Sequence, residues 1–274
     1  MNKIDVISTP QKKNETLEAI YAWLEEIKEV DLPTTEMMKI IGSSDKQHFI
    51  TVIKQIFSDL LLTSNCNENS NIIDLGCGCG RMAIPFTQII TNGEYNGYDV
   101  WEEGINWCKE NLSTKNSSFN FTLLNAQNNY YFDDDNNGNN NFKFHNIKDK
   151  SIDFIFAISV FTHLNPNDTL QYFKEFSRIL KPNAKAYITS FIIDEEFFKF
   201  VEKTKQHTQV KEKEKGYYSA YSKQYYLGGY SMELWKQLLN DANLEIVGYE
   251  PGSWAQKENS KRYQDTFLIQ RINH

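Results

Sequence analysis

From residue 71 onward the sequence alternates between short apolar runs and segments with helical periodicity. The apolar runs are predicted strands: Ile72–Leu75, Glu94–Tyr98, Phe119–Leu124, Ile152–Ile158, Lys185–Ile193, Leu244–Tyr249 and Thr266–Gln270. The segments between them include the predicted helices Arg81–Ile90, Glu102–Leu112, Pro166–Leu180, Glu195–Thr204 and Ser231–Asp241. Such alternation requires crossover connections, which place helices on both faces of a mostly parallel sheet. We therefore expect a doubly wound, Rossmann-like α/β fold of seven strands with an antiparallel strand at one edge.

The first third of the chain is predicted to be helical. Apolar residues recur at helical spacing between Thr16 and Val30, with charged residues between them. Two further helices are expected at Thr35–Ile41 and at about Lys46–Leu62, and Asp45 is a candidate N-cap for the second of these. These helices would cover a sheet edge or the mouth of a pocket.

The most informative segment is DLGCGCG at residues 74–80, which continues directly from the first predicted strand. Three glycines at alternate positions let a ligand approach the backbone closely, and the helix that follows offers free N–H groups. The spacing differs from the dinucleotide pattern G-x-G-x-x-G, and the Gly-Lys-Ser/Thr of a phosphate-binding loop is absent. Asp74 would meet a cationic ligand group, and Asp99, at the end of the next strand, could accept hydrogen bonds from ribose hydroxyls.

Segment 74–80, together with Tyr98-Asp99, resembles the class I S-adenosylmethionine-dependent methyltransferases. At the level of motifs the resemblance runs from about residue 71 to residue 180. Other segments resemble a narrower group, the bacterial-type small-molecule methyltransferases that often modify sugars and related surface metabolites. These segments are Met38–Gly42, Arg81–Pro85, Glu103–Cys108, Ser159–Leu164, Gly252–Trp254 and Tyr263–Asp265.

The resemblance implies that S-adenosylmethionine is the cofactor and S-adenosylhomocysteine the product. It implies that the methionyl part lies along the glycine turn, at Gly76, Cys77 and Gly78. Asp74 would then lie near the ammonium or sulfonium end of the cofactor.

The resemblance also implies where the nucleoside part of the cofactor binds. Asp99 would hold the ribose, and Val100 and Trp101 would cover the adenine. The family commonly has an acid after the third strand that receives the adenine amine, whereas this chain has Ala126 and Gln127 there. A glutamine carbonyl can accept the same hydrogen bond. We therefore assign both residues to the cofactor site.

The methyl acceptor should meet residues after the fourth and fifth strands, because ligands in open α/β sheets bind outside the carboxyl ends of the strands. In that region Ser159 is assigned to the cofactor. His163 is the candidate general base, which would take a proton from an acceptor hydroxyl. The alternative is that His163 caps the helix beginning near Pro166. Asp194 and Glu195 are more simply a helix start than metal ligands, so we expect metal-independent chemistry.

A tyrosine-rich segment spans residues 205–230, where tyrosines stand among glycines and serines with poor hydrophobic periodicity. It is either a lid that grips a polar acceptor or an exposed loop whose tyrosines pack as satellites of the core. Beyond it, Trp254 is a substrate platform or an edge cover, and Asp265 could orient an acceptor hydroxyl. The Asp- and Asn-rich tract 133–141 is expected to be a solvated loop.

Two domains follow from this interpretation. Residues 1–66 would form a helical cap packed on the core. Residues 67–274 would form the S-adenosylmethionine-binding catalytic domain, with the tyrosine-rich segment as a lid insertion.

The charge balance restricts the partners. The chain has 29 Lys and Arg against 36 Asp and Glu, a net charge of −7. Nucleic-acid binding requires a basic face, so we expect no nucleic-acid partner. We also expect no membrane partner and a cytoplasmic location, because the sequence has neither a long uncharged apolar run nor an apolar signal region at its start.

The four cysteines, Cys66, Cys77, Cys79 and Cys108, are too few and too clustered for a disulfide scaffold. Cys77 and Cys79 are separated by one residue, and no second Cys/His pair lies at ligand spacing. We therefore expect no zinc and interpret these thiols as small residues at a tight turn.

Taken together, these patterns predict an enzyme that methylates a small polar acceptor, with O-methylation of a sugar or of a nucleotide- or phosphate-linked metabolite as the leading hypothesis. Two alternatives stay open: a cofactor-binding scaffold protein, and methylation of a nucleic acid or protein. The second is disfavoured because SVFT at residues 159–162 stands where amino-group methylases of that kind carry Asn/Asp-Pro-Pro-aromatic. The sequence does not indicate an oligomeric state.

Overall fold

The computed structural model describes residues 9–124, 143–144, 146–222, 225–255 and 260–272, and within 221–226 only the backbone of residues 221, 222, 225 and 226. Ala126, Gln127 and the tract 133–141 therefore lie outside the described residues. The chain forms two compact units. The first is Met1–Leu124 with Ile152–Phe156, and the second is Asn125–Ser151 with Ala157–His274.

The described residues form ten strands and eight α-helices. The strands are β1 Ile72–Leu75, β2 Tyr95–Asp99, β3 Phe119–Leu123, β4 Ile152–Ala157, β5 Leu180–Ser190, β6 Lys211–Glu214, β7 Tyr217–Ser222, β8 Tyr225–Tyr230, β9 Leu244–Glu250 and β10 Asp265–Arg271. The helices are α1 Pro10–Glu26, α2 Thr35–Ile40, α3 Lys46–Thr63, α4 Ala83–Phe86, α5 Glu102–Cys108, α6 Pro166–Ile179, α7 Glu195–Thr204 and α8 Met232–Asp241.

Seven of these strands form one sheet in the order β3-β2-β1-β4-β5-β10-β9, and β6-β7-β8 form a second, smaller sheet. Strands β1, β2 and β3 run parallel, whereas β10 is antiparallel to both β5 and β9. The predicted doubly wound, mostly parallel fold with an antiparallel edge is therefore confirmed. The smaller sheet was not predicted.

In the first unit, α1 and α3 are tied together by side chains that bond to backbone. The buried Lys13 ammonium donates to the carbonyl of Leu62 over 3.3 Å, and the Tyr21 hydroxyl donates to the carbonyl of Lys54 over 2.8 Å. Asp45 caps α3 as predicted, since its carboxylate accepts from the His48 N–H. The N-terminal segment is thus a bonded helical layer.

Aromatic rings fill the core behind β1 and β2. The Tyr95 ring stacks on Phe119 with centroids 4.9 Å apart, and it contacts Phe86 at 5.7 Å. Phe86 in turn stacks on Phe156 and meets Phe57 edge-on. Such contacts hold each ring in one orientation.

The helix after the glycine turn is shorter than predicted. The pattern predicts a helix over Arg81–Ile90, but only Ala83–Phe86 is α-helical. Beyond it, the N–H of Gln88 donates to Pro85 and that of Ile89 to Phe86, three residues back instead of four. The chain therefore tightens into 3₁₀-type turns before β2 begins.

In the second unit, β5 begins and ends earlier than the predicted Lys185–Ile193. It starts at Leu180, directly after α6, and stops at Ser190. The next residues pair elsewhere, because the Tyr230 N–H donates to Phe191 and the Ile193 N–H donates to Tyr230. The residues that follow β5 therefore hydrogen-bond to the end of β8 in the smaller sheet.

The tyrosine-rich segment contains the strands β7 and β8, which its poor hydrophobic periodicity did not predict. Tyr217, Ala220, Leu227 and Tyr230 are buried. The Tyr230 hydroxyl donates to the carbonyl of Leu164, and it lies 2.8 Å from the hydroxyl of Thr169. Alternation of small residues and tyrosines along β7 and β8 is a strand pattern, although glycines and serines obscure it.

Among the described residues, none of the helices combines the length and the apolar character needed to cross a membrane.

Candidate active site

The glycine turn adopts a backbone that only glycine tolerates well. Gly76, Gly78 and Gly80 have φ of 79°, 55° and 77°, in the left-handed region where a side chain is strained. The N–H groups of Gly76 and Cys77 both donate to the Tyr98 carbonyl, at 2.7 and 3.1 Å. The turn is therefore fastened across to β2, and its alternating glycines have a conformational cause.

Asp99 joins the end of β2 to this turn. Its carboxylate accepts from the Gly78 N–H at 2.6 Å and from the Trp101 N–H at 2.9 Å. Burial raises the pKa of Asp99, while these backbone hydrogen bonds act in the opposite direction. The carboxylate keeps further lone pairs for a ligand hydroxyl, since two oxygens offer about four acceptor positions.

The first turn of α5 packs closely against the glycine turn. A Cβ built on Gly104 would lie 2.7 Å from the Gly78 carbonyl oxygen, so only glycine fits there. Val100 and Trp101 come just before this helix and are partly exposed. The Trp101 indole N–H lies 3.4 Å from the Glu103 carboxylate. Both residues predicted to cover the adenine thus lie beside Asp99, and a ligand can reach them.

Asp74 is buried in β1, 3% exposed, and accepts a hydrogen bond of 2.5 Å from the Tyr95 hydroxyl. Burial raises the pKa of Asp74 to about 7, while the Tyr95 hydrogen bond and the positive charge of Arg81 lower it. Near neutral pH this carboxyl is therefore divided between its acid and its carboxylate. Sequence reasoning missed Tyr95, because a single sequence does not give the strand register that places it beside Asp74.

Arg81 follows the last glycine and is largely buried, which lowers the pKa of its guanidinium. It donates from Nη1 to the Ile41 carbonyl over 3.0 Å, and its other donors have no hydrogen-bond partner among the described residues. Ile41 also touches the turn, because a Cβ on Gly78 would lie 3.1 Å from its Cγ2. The end of α2 thus forms one wall of the turn.

Ser43, two residues beyond Ile41, is 1% exposed, and its hydroxyl has no hydrogen-bond partner in the part of the chain that the structure describes. A buried hydroxyl of this kind costs free energy unless a ligand or a water satisfies it. Neither Arg81 nor Ser43 was assigned a role from sequence. A sequence does not show which buried polar groups lack a hydrogen-bond partner, because that depends on the folded structure.

The cysteines of the turn are buried thiols. Burial raises the pKa of Cys79 to about 12, and it raises the pKa of Cys77 as well. Thiols this far from ionisation are poor nucleophiles and poor metal ligands. In the described ranges, no three His, Cys, Asp or Glu side chains lie together as metal ligands would. Metal-independent chemistry stays a prediction.

Ser159 follows β4 in the second unit and carries a strained backbone, with φ of 61°. Its N–H donates to the Thr189 hydroxyl at 2.8 Å, and its own hydroxyl donates to Gln264 Oε1 at 3.1 Å. The Thr189 hydroxyl donates to the same Gln264 oxygen at 2.5 Å. These three residues form a network, here called the Ser159 network, that joins the ends of β4 and β5 to the start of β10.

His163 ends a single 3₁₀ turn after β4, Phe161–His163, and is half-buried. Burial lowers the pKa of its imidazole, so the ring is neutral at neutral pH. The alternative role as a helix cap is wrong, because α6 is capped by Asn165, whose side chain accepts from the Asp168 N–H at 2.9 Å.

Asp265 is structural, which corrects the expectation that it could orient an acceptor hydroxyl, and Trp254 is buried, which favours its predicted role as an edge cover over that of a substrate platform. Asp265 is fully buried and accepts from the N–H groups of Ile192 and Gly252, from the Tyr249 hydroxyl and from the Trp254 indole. Trp254 is 4% exposed and packs on Phe191 at 4.6 Å. With four donors on its two oxygens, this carboxylate holds the protein together instead of binding a ligand.

Comparison with solved structures shows the same fold in distant proteins. The PH0226 protein from Pyrococcus horikoshii OT3 is 18% identical, with 89% of this chain and 99% of that chain covered and a TM-score of 0.57. An S-adenosylmethionine-dependent methyltransferase from Leishmania major is 12% identical, with 96% and 85% covered and a TM-score of 0.55. One from Clostridium acetobutylicum ATCC 824 is 15% identical, with 81% and 91% covered and a TM-score of 0.50. At these identities the likeness shows the fold.

Sequence comparison adds the family. Residues 66–243 match the family described as "Methyltransferase domain", a range that holds the glycine turn, both acids and His163 and spans more than half of the chain. The chain therefore belongs to the methyltransferase domain family and is a class I methyltransferase that uses S-adenosylmethionine.

Proposed function

We propose that this enzyme methylates an oxygen atom of a small polar acceptor, a sugar or a nucleotide- or phosphate-linked metabolite of the kind modified by bacterial-type small-molecule methyltransferases. The observation that carries the proposal is His163. It is a neutral, half-buried imidazole one short turn beyond the carboxyl end of β4, where ligands of open α/β sheets bind. A hydroxyl acceptor must lose a proton, and a neutral imidazole can take it.

The cofactor is assigned to the glycine turn. Gly76, Cys77 and Gly78 would bind the methionyl part along the backbone, and Asp74 would lie near its positive end. Asp99 would hold the ribose, because its carboxylate has acceptor positions left beside the two backbone N–H groups. This arrangement is pre-formed, since the hydrogen bonds of the turn are made within the protein itself.

Two observations support the fit of the cofactor to this turn. The Arg81 guanidinium has unused donors, and the buried Ser43 hydroxyl has no partner among the described residues. Both belong to segments that touch the turn or continue from it. A carboxylate accepts hydrogen bonds from a guanidinium and a hydroxyl, so these two groups complement the carboxylate of a methionyl ligand.

The remaining assignments concern the edge of the cofactor site. Val100 and Trp101 would cover the adenine, and Ala126 and Gln127, outside the described residues, would contact its amine. Ser159 would contact the cofactor through its hydroxyl oxygen, which donates to Gln264 and keeps lone pairs free. None of these roles requires a metal ion.

S-adenosylmethionine, when bound, supplies an electrophilic methyl group. The protein's task is then to align the acceptor and to remove its proton, because an in-line displacement depends mainly on positioning. His163 would take the acceptor's hydroxyl proton on an imidazole nitrogen as the oxygen bonds to the methyl group. The proton would then pass from His163 to water, and S-adenosylhomocysteine would be the second product.

The same proposal assigns roles to the larger segments. Residues 1–66 form the helical cap and residues 67–274 the catalytic domain, with 205–230 as a lid over the acceptor. The buried tyrosines of β7 and β8 support a stiff lid anchored at one end, since Tyr230 bonds to Leu164 next to His163. The bonds between α1 and α3 support a stable cap.

A two-step experiment tests the function. Calorimetry first measures binding of S-adenosylhomocysteine to the full chain, and we expect a complex. The enzyme is then incubated with S-adenosylmethionine and a panel of phosphorylated and nucleotide-linked sugars. Mass spectrometry should show a product in which one hydroxyl hydrogen is replaced by methyl.

Three outcomes count against parts of the proposal. Binding of the cofactor without any methylated product would favour the scaffold alternative. Methylation of a nucleic acid or a protein offered beside the sugar panel, with no sugar methylated, would replace the acceptor class. Activity abolished by a chelator and restored by magnesium would overturn metal-independent chemistry.

A further inference from the structure

The Tyr95 hydroxyl, on β2, is hydrogen-bonded to Asp74 at the start of the glycine turn. Its side chain is fully buried and therefore does not contact a ligand. It donates to Asp74 Oδ2 at 2.5 Å, and both side chains are buried, 0% and 3% exposed. In the register of β1 and β2, Asp74 lies opposite Gly97, which has no side chain to compete. Tyr95, two residues earlier on the same face of β2, reaches the carboxylate instead.

The Tyr95 ring is fixed independently of this hydrogen bond. It stacks on Phe119 at 4.9 Å and contacts Phe86 at 5.7 Å and Phe121 at 6.1 Å. Removing the hydroxyl alone would leave these contacts in place. The hydrogen bond is therefore imposed by the core and not by the ligand.

Several charged or titratable groups surround the Asp74 carboxyl. They are Tyr95 and Asp99 on β2 and Arg81 and Cys77 on or next to the turn, and Cys108 on α5 interacts in turn with Cys77 and Tyr95. Burial raises the pKa values of the Tyr95 phenol and the Cys77 thiol well above their usual range, so both stay neutral. Burial and Asp99 favour the protonated form of Asp74, whereas Tyr95 and Arg81 favour the carboxylate.

We propose that Tyr95 is a positioning residue, whose hydroxyl holds the Asp74 carboxylate in place and favours its ionised form for the positively charged methionyl end of the cofactor. This inference rests on the proposed function, which assigns Asp74 to the cofactor. Burial would otherwise neutralise the acid and remove the attraction for an ammonium group. Tyr95 thus acts on cofactor affinity through Asp74 without contacting the cofactor.

The pH dependence of cofactor affinity tests this. Calorimetry measures binding of S-adenosylhomocysteine to the full chain between about pH 6 and about pH 9. In the wild type, affinity should fall about tenfold for each unit below about pH 7, because only the carboxylate attracts the ammonium group. Tyr95→Phe should move this midpoint up by about one to two units, since a hydrogen bond to the charged form is lost.

Matched variants separate this effect from packing. Tyr21→Phe removes another tyrosine hydroxyl bonded within the first unit and should leave the midpoint unchanged. Asp74→Asn should make the affinity independent of pH over this range, and adding Tyr95→Phe to it should produce no further shift. Thermal unfolding of each variant confirms that it is folded.

An equal loss of affinity at every pH in Tyr95→Phe, or an unmoved midpoint in the folded variant, would overturn the inference. If Tyr95→Phe does not fold, the inference is tested on the wild type by the number of protons released when the ligand binds. Binding near about pH 6.5 should release up to one proton, measured in buffers of different ionisation enthalpy, and release of none overturns the inference. Absence of any binding by the wild type would instead count against the proposed function.

Discussion

The glycine turn and the Ser159 network are held together by different means. The turn is fastened by backbone N–H groups that bond to the Tyr98 carbonyl and to Asp99, over a short stretch of chain. The network consists of side chains 30 to 105 positions apart in the sequence. The conformation of the glycine turn is therefore determined by where the glycines stand. The Ser159 network instead requires three polar residues at the ends of different strands.

The largest expected effect is in the second unit. His163→Ala should lower turnover by about 10²–10⁴-fold with little change in S-adenosylhomocysteine affinity, because a general base acts in the transition state. The acid limb of the rate profile should disappear with it. In the wild type that limb should lie below about pH 6.5, because burial lowers the pKa of His163. Turnover against pH, measured with the acceptor found by mass spectrometry, checks this.

His207→Ala is the control, since burial lowers the pKa of this imidazole also but its ring packs among Phe197, Phe200 and Trp254. It should affect stability more than turnover. If His163→Ala keeps near wild-type turnover and the acid limb of its rate profile, His163 is not the general base. Catalysis would then depend on the alignment of the acceptor alone.

A smaller effect is expected at the turn. Gly78→Ala should weaken S-adenosylhomocysteine binding by about 10- to 100-fold, because a side chain at this φ is strained and would press on Ile41. Gly42→Ala is matched in backbone strain, with φ of 82°, but its Cβ would meet nothing within 4 Å. Calorimetry should show near wild-type affinity for Gly42→Ala. Equal losses in the two variants would mean that strain, and not the turn's geometry, controls binding.

The smallest effect should come from the network. Gln264→Ala removes the shared acceptor of two hydroxyls, one of them that of Ser159, which is assigned to the cofactor, and should weaken S-adenosylhomocysteine binding by less than about tenfold. Gln270→Ala, on the same strand, loses only an exposed bond to Glu245 and serves as the control. Calorimetry with S-adenosylhomocysteine on both variants checks this. Identical affinities for the two variants would show that the Ser159 network does not position Ser159 for the cofactor.

Sequence reasoning predicted most of the sheet and the glycine turn because both are encoded locally. Apolar runs marked β1 to β5, β9 and β10, and the glycines at 76, 78 and 80 stand where φ is positive. The smaller sheet was missed since its strands mix tyrosines with glycines and serines. Asp265 was misassigned because the sequence shows an acid at a strand end but not the four donors that fold back onto it.

Partners far apart in sequence explain the other omissions. Tyr95 and Arg81 matter through groups on neighbouring segments, and nothing in a single sequence gives the strand register that places Tyr95 beside Asp74. The same holds for Thr189, whose hydroxyl links Ser159 to Gln264. The role assigned to Tyr95 is a prediction that Tyr95→Phe tests, and Gln264→Ala tests the network to which Thr189 belongs.

The anchoring of the smaller sheet at Tyr230 has a consequence for how such an enzyme can diversify. The backbone of Tyr230 bonds to Phe191 and Ile193, and its hydroxyl bonds to Leu164. This one residue therefore fixes the end of β8 to the rest of the second unit. The outer residues of β6, Lys211–Glu214, are all exposed. Substitutions there leave the anchor untouched, and exposed positions away from special contacts tolerate exchange with little loss of stability. If this sheet is the lid proposed above, substitutions in β6 can change the acceptor of a related enzyme while its glycine turn for the cofactor stays the same.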